Sequence, residues 1–267
     1  MSLKALLSHF GLHSAPFTRP VLPGALLDHQ SFQETLARLR LAIESRTAAM
    51  VTAEPGLGKS TLLAAFADGL DPGHTRLVYT PLCSCGPFGL IGQLAARYGI
   101  KPKRSAAQTA QSVLDELSRS DKTEILVLDE AHCLPTQSLD ELRLLSNTDF
   151  DRTPPFTIVL AGQPPLRERL ADPSLASLWQ RVPIRSSLAP LTDRETVEYV
   201  ERRLRAVGAA KSPFRPPAID KLFEHSRGVP RQINTFATGA LLAAATASRK
   251  HVDAADVETA VFDVEHR

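Results

Sequence analysis

The sequence predicts an α/β protein, in which a mainly parallel five-stranded sheet covered by helices precedes a small all-helical domain. Two observations lead to this fold class. Up to Pro190, short apolar segments alternate with segments of helical periodicity, which is typical of a parallel sheet. After Pro190 the strand-like segments stop and only helical patterns follow.

The predicted sheet belongs to a core over residues 31–190. A helix follows Ser31, and four short apolar segments have the character of buried strands. The four segments, with a more polar fifth candidate at the end, are 48–52, 76–80, 124–128, 157–161 and 184–188. Residues 1–30 contain scattered prolines and aromatic residues and are predicted to form an extended lead-in.

The helical domain is predicted over residues 191–267. Thr192 is a candidate N-cap for a helix that ends at Arg205, and Glu195 completes the capping-box pattern. Further helices are predicted over 218–225, 230–247 and 253–261, the last capped by Asp253.

Composition excludes several classes of protein. The chain has 267 residues and is 43% hydrophobic, but its longest weakly polar run, 239–248, is too short to cross a bilayer. The N-terminus does not resemble a signal peptide, and three cysteines (Cys83, Cys85 and Cys133) are unlike a disulfide framework. We therefore expect a cytoplasmic protein that is not bound to a membrane. Because the net charge is only +2, any contact with DNA must come from a local basic patch.

Residues 53–60, with the sequence AEPGLGKS, lie between a predicted strand and a predicted helix, as a phosphate-binding loop requires. Glycines let backbone N–H groups approach phosphates, lysine reaches the β- and γ-phosphates, and the Ser60 hydroxyl is a ligand for Mg²⁺. The predicted binding residues are Pro55, Gly56, Leu57, Gly58, Lys59, Ser60 and Thr61. Ala53 stands where the usual pattern begins with glycine, and its methyl group restricts access to positive φ.

A second motif, ILVLDEAH at residues 125–132, places two carboxylates at the end of an apolar strand. Ligands of open α/β sheets bind at this end. Asp129 is predicted to hold Mg²⁺, and Glu130 to orient and deprotonate the attacking water. Taken alone, the pair is also typical of a solvated strand end.

Other polar residues allow two interpretations. Gln163 follows strand 157–161 and is predicted either to hold the attacking water or to be a turn residue before two prolines. Arg181, Arg185 and Arg231 are candidates to stabilise charge, and each fits a surface arginine equally well.

Together these segments resemble an AAA+ ATPase module, from about Phe10 to Phe262. The finer resemblance is to the branch that contains the ExeA-type ATPases and the transposition regulators of the Tn7 and Mu type. The blocks that carry it are GLHSAPFTRP, VTAEPGLGKSTL, ILVLDEAH, VLAGQPPLRERL, LWQRVPIRSSLAPLT and SRGVPRQIN. The resemblance implies ATP hydrolysis with ATP and Mg²⁺ as cofactors.

The resemblance also implies roles for single residues. Gln163 falls at the sensor-1 position, and Arg231 at sensor 2 on the helical lid. Arg181 matches the arginine finger that acts on a neighbouring subunit, with Arg185 as the alternative. A finger supplied in trans implies a ring or helical filament of identical subunits. The lead-in, residues 1–30, is expected to flank the adenine pocket.

The family that these blocks resemble also includes members that encircle DNA. Here the candidate contacts with the backbone of duplex DNA, without base readout, are Lys101, Lys103 and Arg104, although a solvated turn explains them equally well. We expect a regulator of transposition that recruits a transposase or target-selection protein. The alternative is an ExeA-type ATPase for secretion, whose members continue into a membrane segment and a wall-binding domain, neither of which we expect here.

Overall fold

The computed structural model describes residues 2–18, 21, 24–27, 29–81, 87–145, 154 and 156–266. Cys83 and Cys85 lie outside these residues. The chain groups into two compact units. Residues 31–55 and 59–188 form the sheet unit, and residues 1–30, 56–58 and 189–267 form the helical unit.

The sheet unit contains five parallel strands. In chain order they are β1 (Ala49–Thr52), β2 (Thr75–Thr80), β3 (Thr123–Leu128), β4 (Thr157–Gly162) and β5 (Ile184–Ser187). Their order across the sheet is β2-β3-β4-β1-β5. The predicted fold class is confirmed, and each strand lies within one residue of its predicted ends.

Helices surround the sheet in its own unit and make up most of the other. In chain order they are α1 (Leu3–Phe10), α2 (Gln30–Glu44), α3 (Lys59–Asp68), α4 (Pro87–Arg97), α5 (Ala106–Arg119), α6 (Thr136–Leu145), α7 (Pro165–Leu170), α8 (Ala176–Arg181), α9 (Asp193–Arg205), α10 (Pro216–Ser226), α11 (Pro230–Thr246) and α12 (Ala254–Glu265).

Strands β1 and β4 are buried along their whole length, as expected where both faces of a parallel sheet are covered. Their register decides where their carboxyl ends lie. Thr52 of β1 is opposite Gly162 of β4, and Leu128 of β3 is opposite Leu160 of β4. The segments that follow β1, β4 and β3 therefore start side by side at one edge of the sheet.

The helical unit begins with a helix where an extended lead-in was predicted. Ser2 caps α1 by accepting a hydrogen bond from the backbone of Ala5, and Gly11 ends it with φ +68°. Leu6 and Phe10, one turn apart, pack against the hydrophobic core of this unit. The prolines that suggested extended chain start only at Pro16, so nothing prevents a helix before them.

Caps fix the ends of the later helices. The predicted capping box of α9 is present: Thr192 Oγ1 accepts from the backbone N–H of Glu195 at 3.2 Å, and the Glu195 carboxylate accepts from that of Thr192 at 2.8 Å. Burial raises the pKa of Glu195, but hydrogen bonds from Thr192 and Gln30 outweigh it and lower that pKa below its usual value. Asp253 occupies the N-cap position of α12, and its backbone N–H donates to Asp256 Oδ2 at 2.9 Å.

No helix among the described residues is long and apolar enough to span a membrane.

Candidate active site

The phosphate-loop motif forms a tight turn between β1 and α3. Gly56 and Gly58 have φ of +97° and +98°, a region that residues with a Cβ rarely adopt. A Cβ on Gly58 would meet no atom within 4 Å, so its backbone faces open space. Helix α3 starts at Lys59, and its first N–H groups and dipole favour an anion at this end. Ser60 and Thr61 occupy the first turn.

Gly56 also lies against the start of α11, within the helical unit. The backbone N–H of Arg231 donates to the Gly56 carbonyl at 3.3 Å. A Cβ on Gly56 would lie 2.9 Å from Cβ of Arg231 and 3.0 Å from Cγ1 of Val229. Glycine is required at this position both for its φ and for this close approach. The Arg231 side chain is exposed, and its sensor-2 role stays a prediction.

Ala53, the departure from the usual motif, continues the sheet. Its backbone N–H donates to the Gly162 carbonyl at 3.0 Å, it is 1% exposed, and its φ is not positive. The methyl group therefore causes no backbone strain in this loop.

The two carboxylates follow β3 as predicted and both contact the lysine of the loop. Lys59 Nζ donates to Glu130 Oε1 at 2.6 Å and also to Asp129 Oδ1. The Lys59 side chain is 10% exposed, that of Asp129 is 7% exposed and that of Glu130 is 42% exposed. The more buried carboxylate is suited to hold a metal ion, and the more exposed one is suited to meet water.

A tyrosine that sequence reasoning missed orients Asp129. Tyr79 Oη, next to the end of β2, donates to Asp129 Oδ2 at 2.8 Å. Because the other oxygen accepts from the backbone N–H of Glu130 at 2.8 Å, both Asp129 oxygens have fixed donors. The sequence feature that could have indicated this role is a polar residue near the end of β2, the strand next to β3.

Glu130 is held in an unusual backbone conformation. Its φ is +54°, in the left-handed region that costs a non-glycine residue about 1 kcal/mol or more. Arg169 of α7 supports the turn that follows, since its guanidinium donates to the carbonyls of His132 and Leu134 (the latter at 2.5 Å). Nothing in the sequence spacing linked Arg169 to this turn.

His132 connects this turn to β4. Its Nδ1 accepts from the backbone N–H of Gln163 at 3.4 Å and lies 3.6 Å from Glu130 Oε2. A Cβ on Gly162 would lie 3.2 Å from the backbone nitrogen of His132, so glycine permits this close packing. Gln163 thus follows the carboxyl end of β4, the strand between β1 and β3, and its role at the nucleotide stays a prediction.

The two arginine-finger candidates differ in their surroundings. Arg181 is the last residue of α8 and is half-buried. The Arg185 guanidinium donates to the carbonyls of Val182 at 2.7 Å and Trp179 at 2.6 Å. Burial, with a smaller contribution from the charge of Arg167, lowers the pKa of Arg185.

The predicted DNA contacts lie in the loop between α4 and α5. Lys101, Lys103 and Arg104 are all exposed. The backbone N–H of Lys103 donates at 2.9 Å to Oγ1 of Thr109, which is fully buried.

The residues present fit ATP with Mg²⁺. Lys59 pairs with the carboxylates of Asp129 and Glu130. Phosphate oxygens can replace these carboxylates at Lys59, and a metal ion can replace the lysine at Asp129, so each charge keeps an opposite partner. The loop offers backbone N–H groups in a concave turn of positive φ, which is the form of an anion site. Bound Mg²⁺ neutralises charge on the phosphates, while Asp129 and Ser60 would hold it and Glu130 would accept a proton from water.

The fold and this site define an ATPase that takes ATP and Mg²⁺ and that resembles the P-loop ATPases of the AAA+ class. Residues 42–170 match the AAA domain family. That range includes the phosphate loop, both carboxylates and Gln163, and it stops before α9.

Known proteins with related sequence or structure support this assignment. The chain is 29% identical over 262 residues to general secretion pathway protein A of Aeromonas hydrophila, a match that covers 96% of this chain. It spans about half (48%) of that relative's length. The structure resembles Cdc6p of Pyrobaculum aerophilum, with a TM-score of 0.73 at 20% identity, over 93% of this chain and 70% of that one.

Two further solved structures share the fold. Drosophila ORC bound to DNA gives a TM-score of 0.72 at 18% identity, over 98% of this chain and 66% of that chain. The RuvB branch migration motor of Thermotoga maritima gives 0.57 at 19% identity, over 92% and 73%.

Proposed function

We propose that this ATPase is a cytoplasmic regulator of transposition. In this proposal ATP binding assembles its subunits into a ring or helical filament on duplex DNA, and the assembly recruits a transposase or target-selection protein. Hydrolysis at Glu130 then dissolves the assembly. The observation that carries the proposal is the exposed basic loop with Lys101, Lys103 and Arg104 in the sheet unit.

The loop has a fixed backbone, which suits a repeated contact. Gly99, with φ +71°, ends α4, and the backbone N–H of Ile100 donates to the Ala95 carbonyl at 2.8 Å. Lys103 is tied to Thr109, and Ser105 caps α5. Three cations on an ordered turn would meet phosphates without reading bases, and repetition around an oligomer would multiply their effect.

Relatives by fold support a role on DNA. The Drosophila ORC structure is of a protein bound to DNA, and ORC1 of Aeropyrum pernix, with a TM-score of 0.66 at 19% identity over 94% of this chain and 69% of that one, is in complex with DNA. A module of this architecture is therefore compatible with DNA binding.

In this proposal Arg181 links hydrolysis to assembly. At the end of α8 it would complete the charge stabilisation at the nucleotide of a neighbouring subunit, so hydrolysis would depend on assembly. Gln163 would report the state of the γ-phosphate, and Arg231 would contact nucleotide from the lid.

A second candidate function is assembly of a secretion apparatus. It is favoured by the similarity to general secretion pathway protein A, which covers 96% of this chain. That function needs ATP hydrolysis but no affinity for duplex DNA, so DNA binding separates the two candidates.

The test is ATP-dependent binding of a labelled duplex, followed by fluorescence anisotropy with Mg²⁺ and a non-hydrolysable ATP analogue across a range of salt concentrations. The proposal expects binding that requires the analogue and weakens steeply with salt. The Lys103→Ala/Arg104→Ala variant should bind more weakly with a flatter salt dependence. Lys4→Ala/Lys211→Ala, which removes two exposed charges from the helical unit, is the matched control. Absence of duplex binding at low salt would leave the secretion function as the better candidate.

A further inference from the structure

Helix α8 is too short to be stable without contacts from the rest of the chain. It has six residues, and the last carbonyl groups of any helix lack partners within it. Its final residue is Arg181, and only Val182 and Pro183 separate it from β5. The position of Arg181 therefore depends on whatever closes the last turn of α8.

Arg185 helps to close that turn, together with the backbone N–H of Val182, which donates to the Trp179 carbonyl at 3.3 Å. Nε of Arg185 donates to the Val182 carbonyl at 2.7 Å, and its Nη2 donates to the Trp179 carbonyl at 2.6 Å. These two carbonyls lie on either side of Arg181 in the chain. A cation at a helix C-terminus also has a favourable interaction with the helix dipole.

The indole of Trp179 fixes the same guanidinium from one face. Cζ of Arg185 lies 3.3 Å from the centroid of the Trp179 ring, and this ring packs against the hydrophobic core of the sheet unit. Arginine alone provides a planar fork that can both stack and donate to two acceptors. The backbone of Arg185 is held as well, because its carbonyl accepts from Nη1 of Arg38 at 2.8 Å.

We propose that Arg185 is a positioning residue, which holds the end of α8 so that Arg181 points at the nucleotide of a neighbouring subunit. This inference rests on the proposed role of Arg181 as the arginine finger. It assigns Arg185 a role within its own chain, where its guanidinium donates to the carbonyls of Val182 and Trp179.

Subunit mixing tests the inference. Arg185→Ala should leave ATP binding to the isolated subunit unchanged, because the phosphate loop is untouched. Its assembly-stimulated turnover, measured against protein concentration with and without duplex DNA, should fall about 100-fold, the effect expected of a displaced catalytic group. An excess of Glu130→Gln subunits, which bind ATP and carry an intact Arg181 but turn over little, should restore hydrolysis at the Arg185→Ala sites.

A merely structural defect in the subunit's own site would not be restored by such partners. Arg185→Lys is tested in parallel, because it keeps the charge and the aliphatic stem needed for folding but loses the fork and the stacking. It should show the same loss and the same restoration. Full stimulated turnover in Arg185→Lys, or a loss that intact partners do not restore, would overturn the inference.

Arg181→Ala distinguishes this failure from failure of the proposed finger. If Arg181→Ala subunits lose stimulated turnover and Glu130→Gln subunits restore it, the finger stands and the result for Arg185 decides the inference alone. If Arg181→Ala shows normal stimulated turnover, Arg181 is not the arginine finger. The proposed role of Arg185 in positioning it is then wrong as well.

Discussion

Lys59 Nζ donates to Glu130 Oε1 at 2.6 Å, so the lysine of the phosphate loop and the predicted catalytic base form a direct ion pair. In its predicted role as the base, Glu130 would become available to the attacking water only when Lys59 leaves this pair for the γ-phosphate.

Glu130→Gln separates binding from hydrolysis. The amide cannot accept a proton, so turnover should fall by about 100-fold or more. It also competes less than a carboxylate for Lys59, so affinity for ATP should be equal or higher. Nucleotide binding by calorimetry and phosphate release give the two quantities, with the exposed Glu44→Gln as the control. Normal phosphate release by Glu130→Gln would remove Glu130 as the base.

Tyr79→Phe should change the requirement for Mg²⁺. Asp129 loses the donor that fixes Oδ2, and such outer-shell partners typically contribute about tenfold or more to metal affinity. We expect half-maximal hydrolysis to need about tenfold more Mg²⁺, with little change in kcat once Mg²⁺ is saturating. Tyr98→Phe, which removes another tyrosine hydroxyl that donates to a carboxylate within the sheet unit, is the matched control. A reduced kcat at every Mg²⁺ concentration would instead place Tyr79 in the chemical step.

Patterns that are local in sequence predicted much of this structure. The strands came from short apolar runs, the phosphate loop from its glycine spacing, and α9 from Thr192 and Glu195, because each pattern determines its own backbone. Tyr79 and Arg169 act on the site from other segments, and His132, although it lies within the second motif, contacts the backbone of Gln163 after β4. Their roles depend on strand order and on turns that bring distant residues together, which no spacing in the chain encodes.

The lead-in shows a second limit of sequence reasoning. The prolines start at Pro16, but the prediction of extended chain also covers the residues before them. The helix over Leu3–Phe10 depends on Leu6 and Phe10 meeting a core formed by residues some 200 positions later. Arg203 of α9 also depends on residues distant in sequence, because it is 2% exposed and donates to the Thr18 carbonyl at 2.7 Å.

Stability at alkaline pH should depend on Tyr98. Burial, followed by the charge and hydrogen bond of Glu124, raises the pKa of Tyr98 above its usual value. Above about pH 10 the unfolded chain releases this proton while the folded chain keeps it, so the free energy of unfolding falls as pH rises. Urea unfolding of Tyr98→Phe should show about 1 kcal/mol less stability at neutral pH and a shallower decline above pH 10. An equally steep decline would assign the alkaline loss to other groups.

Gly228→Ala should unfold the helical unit at lower temperature. An added Cβ would lie 1.9 Å from the carbonyl oxygen of Leu191, whose backbone N–H donates to the Gly228 carbonyl at 2.9 Å. Backbone atoms cannot move aside cheaply, so we expect a loss of about 3 kcal/mol, or about 10 °C in Tm by calorimetry. Gly11→Ala is matched in φ and has no atom within 4 Å, so it should cost only about 1 kcal/mol. Equal losses of stability in both variants would mean that the positive φ, and not the contact with Leu191, causes the destabilisation.

Ala53→Gly restores the usual first residue of the phosphate loop, and it should not speed hydrolysis. Ala53 has no positive φ to relieve, and its backbone N–H is already bonded to Gly162, so the loop gains no conformation that it needs. The variant loses a buried methyl group and gains freedom in the unfolded chain, which together should lower the free energy of unfolding by about 1 kcal/mol. Steady-state turnover and urea unfolding measure the two effects. A clear rise in kcat would show that the alanine methyl restrains the loop during hydrolysis, in a conformation other than the one described.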